Sequence, residues 1–146
     1  MDTDQEKVNV NVMKNVAIKE NHLYQKAYRN GKRFVGKTVA VYVLRDYAAK
    51  RLRKEHPQKV FINRLGLSVS KKIGSAVERN RAKRIMRAAY DSVKAQWKTG
   101  FLVVISARSA IVGKKSTDVE RELRAAADAL SLWETTAPAE ERQNKR

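Results

Sequence analysis

The chain has 146 residues, 42% of them hydrophobic, no cysteine and a formal net charge of +17. That length suits one domain with a modest core. The missing cysteines exclude disulfides and thiolate metal sites, and no apolar run approaches the roughly 18–20 residues of a membrane span. A charge of this sign and size points to a polyanion, usually nucleic acid. The polar, acidic N-terminus is not a secretory signal, which makes the cytoplasm the simplest compartment.

Residues 1–13 carry Asp2, Asp4 and Glu6 without periodicity and read as a disordered extension to a domain spanning 14–133. Glu20 to Asn30 reads as a short helix closed by Gly31, a residue suited to the left-handed C′ position. Tyr24 and Tyr28, four apart, share one face of it. They are either half-buried core tyrosines or a stacking platform for unpaired bases. Lys32 to Leu44 is a strand region, apolar enough from Thr38 onward for a central strand covered on both sides. Val39, Val41 and Val43 share one face; Ala40, Tyr42 and Leu44 share the other. Residues 45–58, with the basic run Lys50, Arg51, Arg53 and Lys54, read as a solvated loop.

Val60 to Ser70 alternates as a strand. Leu65, Leu67 and Val69 face one way. Arg64, Gly66, Ser68 and Ser70 face the other, and this small polar face reads as a shallow ligand-facing floor. Ser75 and Glu78 then form a Ser-x-x-Glu capping box that opens a helix reaching about Lys98. Ala82, Ile85, Met86, Ala89, Val93 and Trp97 fall on one side of this helix; Asn80, Lys83, Arg84 and Arg87 fall on another. From Arg64 to Lys98 there are ten Lys/Arg against two acids. Lys71 and Lys72 precede the helix N-terminus, where free N–H groups and the dipole favour anions, and Arg79, Asn80 and Arg81 occupy its first turns. Arginine there costs some tenths of a kcal/mol unless an anion offsets it. Arg79 falls by angle on the apolar side.

Phe101 to Ala107 is a second covered strand. Thr117 and Glu120 form a second capping box, opening a helix that buries Val119, Leu123, Ala126, Ala127, Leu130 and Trp133. Residues 134–146 read as a disordered tail. The order predicts a small α/β (α+β) two-layer sandwich with helices packed on one face of a mixed sheet. No catalytic constellation appears: there is no P-loop, His22 and His56 lie far apart, and no metal is assigned.

The stretch from Arg64 to Arg87, RLGLSVSKKIGSAVERNRAKRIMR, resembles the signature of the protein subunit of bacterial ribonuclease P around its Arg-Asn-Arg motif. The helix with Tyr24-Gln25-Lys26-Ala27-Tyr28 and Gly31 is similar to that family's N-terminal pattern, and the resemblance covers about Val16 to Trp133. It implies an α-β-β-β-α-β-α order with a left-handed β-α-β crossover, as in ribosomal-protein domains. It also implies an enzyme that removes the 5′ leader of precursor tRNA, with the hydrolysis carried out by a catalytic RNA subunit and its bound Mg²⁺. The partners would be that RNA and precursor tRNA, with no membrane and no small-molecule substrate. On this resemblance Arg79, Asn80 and Arg81, with Lys71, Lys72, Lys83, Arg84 and Arg87, would lie against the catalytic RNA. Tyr24, Tyr28 and Tyr42, with Arg64, Ser68 and Ser70, would line the leader cleft. The family often has phenylalanine at the first two aromatic positions and asparagine where Ser75 stands. The alternatives are a structural, ribosomal-type RNA-binding protein and a DNA-binding protein that uses the basic helix in a major groove.

Overall fold

The computed structural model describes residues 16–48, 51, 54–55 and 63–134. The extension 1–13, the tail beyond Glu134 and most of the basic loop before Asn63 lie outside the described residues. Among the described residues the main elements follow in this order: β1 (Val16–Ala17), α1 (Asn21–Asn30), β2 (Lys32–Val35), β3 (Val39–Arg45), β4 (Arg64–Ser68), α2 (Ala76–Val93), β5 (Phe101–Ala107) and α3 (Ser116–Leu130). Single 3-10 turns sit at Lys71–Ile73, Lys94–Gln96 and Ser109–Ile111. Among the described residues no helix is long and apolar enough to cross a membrane.

The strands form one mixed sheet in the order β1-β4-β5-β3-β2. β4 runs parallel to both β1 and β5, while β3 is antiparallel to β5 and to β2. The alternation read from the sequence sets the two faces. Val39, Val41, Val43, Leu65, Val103 and Ile105 point to one side, where α2 and α3 lay Ala82, Met86, Ala89, Val93, Val119, Leu123 and Ala126 over them. Tyr90 and Trp97 meet edge to face in the same core, with ring centroids 5.6 Å apart.

The expected α/β sandwich on a mixed sheet is present, but the helices do not all lie on one face. α1 packs on the opposite side, where Ala27, Leu23 and the preceding Ile18 cover Leu102, Val104 and Leu44. The reason is already in the strands. Reading β3 and β5 as covered on both sides requires a cover for the second apolar face, and α1 is the element free to supply it. β1 has only two residues, too short for any periodicity to show; its pairing with β4 puts it at the sheet edge.

Three local details concern the helix ends. Ser75 and Glu78 form the expected reciprocal box: Ser75 Oγ accepts from the Glu78 N–H at 3.3 Å and Glu78 Oε1 accepts from the Ser75 N–H at 3.1 Å. Ser75→Ala should cost about 1 kcal/mol of stability, read by urea denaturation. The second box is displaced. α3 begins at Ser116, so its N-cap is Lys115, whose N–H donates to Asp118 at 2.9 Å, and Glu120 instead accepts from Arg124 at 3.1 Å. Gly31 follows α1 in extended geometry (φ −75°), not left-handed as expected. It is glycine because a Cβ would stand 2.6 Å from the Ala27 carbonyl oxygen and 3.0 Å from that of Val43.

Candidate nucleic-acid interface

The sheet register assembles a floor. Paired residues on neighbouring strands share a face, so Gly66, Val104, Tyr42 and Arg33 form one row across β4, β5, β3 and β2. Ser68, Ser106, Ala40 and Val35 form the next. The first row lies under α1. Tyr24 rests directly on Gly66, where a Cβ would come within 2.7 Å of its ring, so the glycine is needed for close approach. Tyr28 meets Tyr42 edge to face with centroids 4.9 Å apart, and its hydroxyl lies 3.4 Å from Ser106 Oγ. The second row holds nothing larger than valine, so a trench runs beside the tyrosines. All three rings are half-buried. Burial, and then the Tyr28 phenol, push the Tyr24 phenol above its usual range, opposed by a hydrogen bond to the Leu67 backbone.

The second row is the last on this face before the end of the sheet, where β4 and β5 stop and β3 begins. Three connections meet there: the β2–β3 turn, the turn after β4, and the residues after β5. They surround an open trough of about 610 Å³ lined by Lys37, Ser70, Lys72, Arg108 and Ser109. α3 fixes the turn that carries Lys37. Glu122 accepts from the Thr38 N–H at 3.0 Å and from Thr38 Oγ1 at 2.6 Å. Arg108 donates to the Gly36 carbonyl from its side chain and to the Thr38 carbonyl from its backbone.

α2 starts from the same edge. Lys71, Lys72, Asn80, Arg81, Lys83, Arg84 and Arg87 are exposed, and among the described residues no carboxylate pairs with the cations of this set. Glu78 forms no ion pair with them; its carboxylate accepts from the Ser75 N–H. Arg79 is half-buried with its Nε enclosed and unpaired, in keeping with its angle on the helix. Ser70 is exposed at the trough and Ser68 half-buried in the trench.

Arg64 stands apart from the other residues expected to line the cleft. It is 9% exposed. Its Nε and Nη2 donate to the two oxygens of Asp46 at 2.8 and 2.9 Å, and its Nη1 to Glu20 at 3.2 Å. Those bonds with Asp46, more than any other influence, hold the guanidinium still more firmly protonated. Its charge is spent inside the fold, tying β4 to the end of β3 and to the start of α1. Sequence reasoning also left out Arg33, Lys37, Ser106 and Arg108. Ser106 had a signal, as the one polar residue on its face of an apolar strand. The three cations had none, since each reads as an ordinary surface charge until the topology gathers them.

Comparison with known proteins agrees with this architecture. A family model described as Ribonuclease P matches residues 12–131. The ribonuclease P protein component of Clostridium acetobutylicum is 36% identical over 112 residues, covering 77% of this chain and 86% of that protein. Its counterpart from Listeria innocua is 34% identical over 110 residues, covering 75% and 83%. Among solved structures, the Staphylococcus aureus RNase P protein superposes with a TM-score of 0.64 at 26% identity, covering 83% of this chain and all of that one. The RNase P protein from Thermotoga maritima, at 19% identity and a TM-score of 0.59 over 75% of this chain and 92% of its own, shares the fold. With the mixed sheet, the aromatic trench and the unpaired basic helix at one edge, these matches show that the chain belongs to the ribonuclease P protein component family.

Proposed function

We propose that this chain is the protein subunit of a cytoplasmic ribonuclease P, bound to a catalytic RNA and acting on precursor tRNA. The observation that carries the reading is the convergence at one sheet edge of an unpaired basic helix and a trench walled by tyrosines. Polyanions repel one another, and bringing a tRNA against a folded RNA concentrates phosphates. The exposed cations of α2 and the preceding turn lower that repulsion and release counterions. The trench suits a single strand. Tyr24 and Tyr28 offer ring surface to unpaired bases, the short side chains of the floor leave room, and Lys37, Lys72 and Arg108 receive phosphates where the strand leaves. In this reading the 5′ leader of precursor tRNA occupies the trench, and the basic helix lies against the catalytic RNA. The RNA carries out the phosphodiester hydrolysis and holds the Mg²⁺; the chain binds, orients and screens.

Reconstitution is the direct test. Added to a catalytic RNA subunit at low Mg²⁺, the chain should stimulate removal of the 5′ leader; no stimulation overturns the reading. For the helix, Arg81→Ala and Arg84→Ala should each lower the slope of log affinity against log salt by about one. An unchanged slope for both would remove those side chains from the RNA contact.

A further inference from the structure

A second cationic recess lies at the other end of the sheet, outside the trench and outside the basic helix. β3 and β5 are seven residues long, which puts this end about 20 Å from the trough. The recess is about 320 Å³. Lys32 at the start of β2, Arg45 at the end of β3 and Lys98 before β5 line it, above a floor that includes Phe101 and Leu130. Its wall is set by the chain. α3 stops at Ser131 in left-handed geometry (φ 56°), and the next N–H, that of Leu132, returns to the Ala127 carbonyl at 2.9 Å and buries the Leu132 side chain.

Three cations gathered at one recess need an explanation. Among the described residues no carboxylate pairs with Lys32, Arg45 or Lys98. Two helix C-termini do reach the site, α1 at Asn30 and α3 at Leu130. Each carries about −0.5 of a unit charge, so together they offset roughly one of the three. About two positive charges remain beside an apolar floor. A bare phosphate would use the charges and not the floor; an acyl chain would use the floor and leave the charges. A nucleotide uses both, because its base is a flat weakly polar plate joined to an anion.

We infer that this recess takes one unpaired nucleotide of bound RNA, the base against Phe101 and Leu130 and the phosphate against Lys32, Arg45 and Lys98. The inference rests on the RNA-binding reading above and adds a separate contact on the opposite end of the molecule. The RNA can be the catalytic subunit or the precursor tRNA, and the test separates them.

The full-length double variant Lys32→Ala/Arg45→Ala changes only exposed side chains. It is titrated with the catalytic RNA and with leader-bearing tRNA in separate arms, beside Arg84→Ala. For the RNA that supplies the nucleotide, affinity should fall on the order of tenfold or more near 0.1 M salt, with the salt slope lower by about two. Loss with Arg84→Ala and none with the double variant in either arm overturns the recess and leaves the RNA reading standing. Loss with neither removes the RNA reading and the recess with it. In the unmodified chain, AMP should shift the methyl resonances of Leu130 and inorganic phosphate should not. Equal shifts from both would make it a plain anion pocket and overturn the nucleotide assignment.

Discussion

Arg64→Met should lower the unfolding free energy by about 3–5 kcal/mol, measured by chemical denaturation. The pair it breaks is enclosed: the Asp46 side chain is 2% exposed and that of Arg64 11%. Asp46 receives two guanidinium bonds and the Ala48 N–H at 3.0 Å. Without Arg64 the carboxylate keeps one bond and stays buried, and removing one partner of such a pair costs more than the pair contributed as a whole. A double variant, Arg64→Met/Asp46→Ala, should therefore recover part of the loss. If it is no more stable than the single variant, the assigned coupling is absent. The effect reaches the trench through Glu20. This residue is the N-cap of α1 but makes no side-chain capping bond, its carboxylate going to Arg64 instead. Arg64 therefore helps hold the helix that carries Tyr24 and Tyr28.

Tyr28→Ala should weaken binding of leader-bearing tRNA by about 1–3 kcal/mol, or roughly 5- to 150-fold, the range for losing one base–aromatic stack. Mature tRNA, which has no leader, should bind as before. The tyrosine is placed for this by one ring edge on Tyr42 and its hydroxyl beside Ser106, which leave the remaining ring surface to the trench. Tyr28→Phe keeps the ring and should stay close to the unmodified chain, while a thermal melt of the alanine variant separates lost binding from lost folding. Equal weakening for both tRNAs would remove the leader from the trench.

Much of the fold was legible residue by residue. The capping box at Ser75 and Glu78, the alternation of β4, and the two-sided apolar runs of β3 and β5 are local signals with local causes, and each element stands where those signals put it. The errors also have local causes. Thr117 and Glu120 satisfy a capping pattern, but Asp118 supplies the carboxylate one turn into a helix that starts at Ser116. Gly31 suggested a left-handed cap, whereas its lack of a Cβ serves the approach of two carbonyls, one of them from a strand that sequence proximity does not reveal. Arg64 was grouped with Ser68 and Ser70 by strand parity, which is right for the face it lies on. Parity says nothing of partners, and Asp46 and Glu20, 18 and 44 residues away, consume its charge.

By itself the sequence determined the class of partner, the helix that bears the basic stripe, and which residues share each strand face. These follow from composition and from periods of 3.6 and 2, which are properties of neighbouring residues. Tertiary structure alone decided which charges are free and which are spent, and that Lys37, Lys72 and Arg108 meet at one end of the sheet while Lys32, Arg45 and Lys98 meet at the other. The reason is the strand order. Placing β5 between β4 and β3, parallel to one and antiparallel to the other, brings the ends of distant segments to the same sheet edge. Charges separated by tens of residues become neighbours only after that sheet has formed.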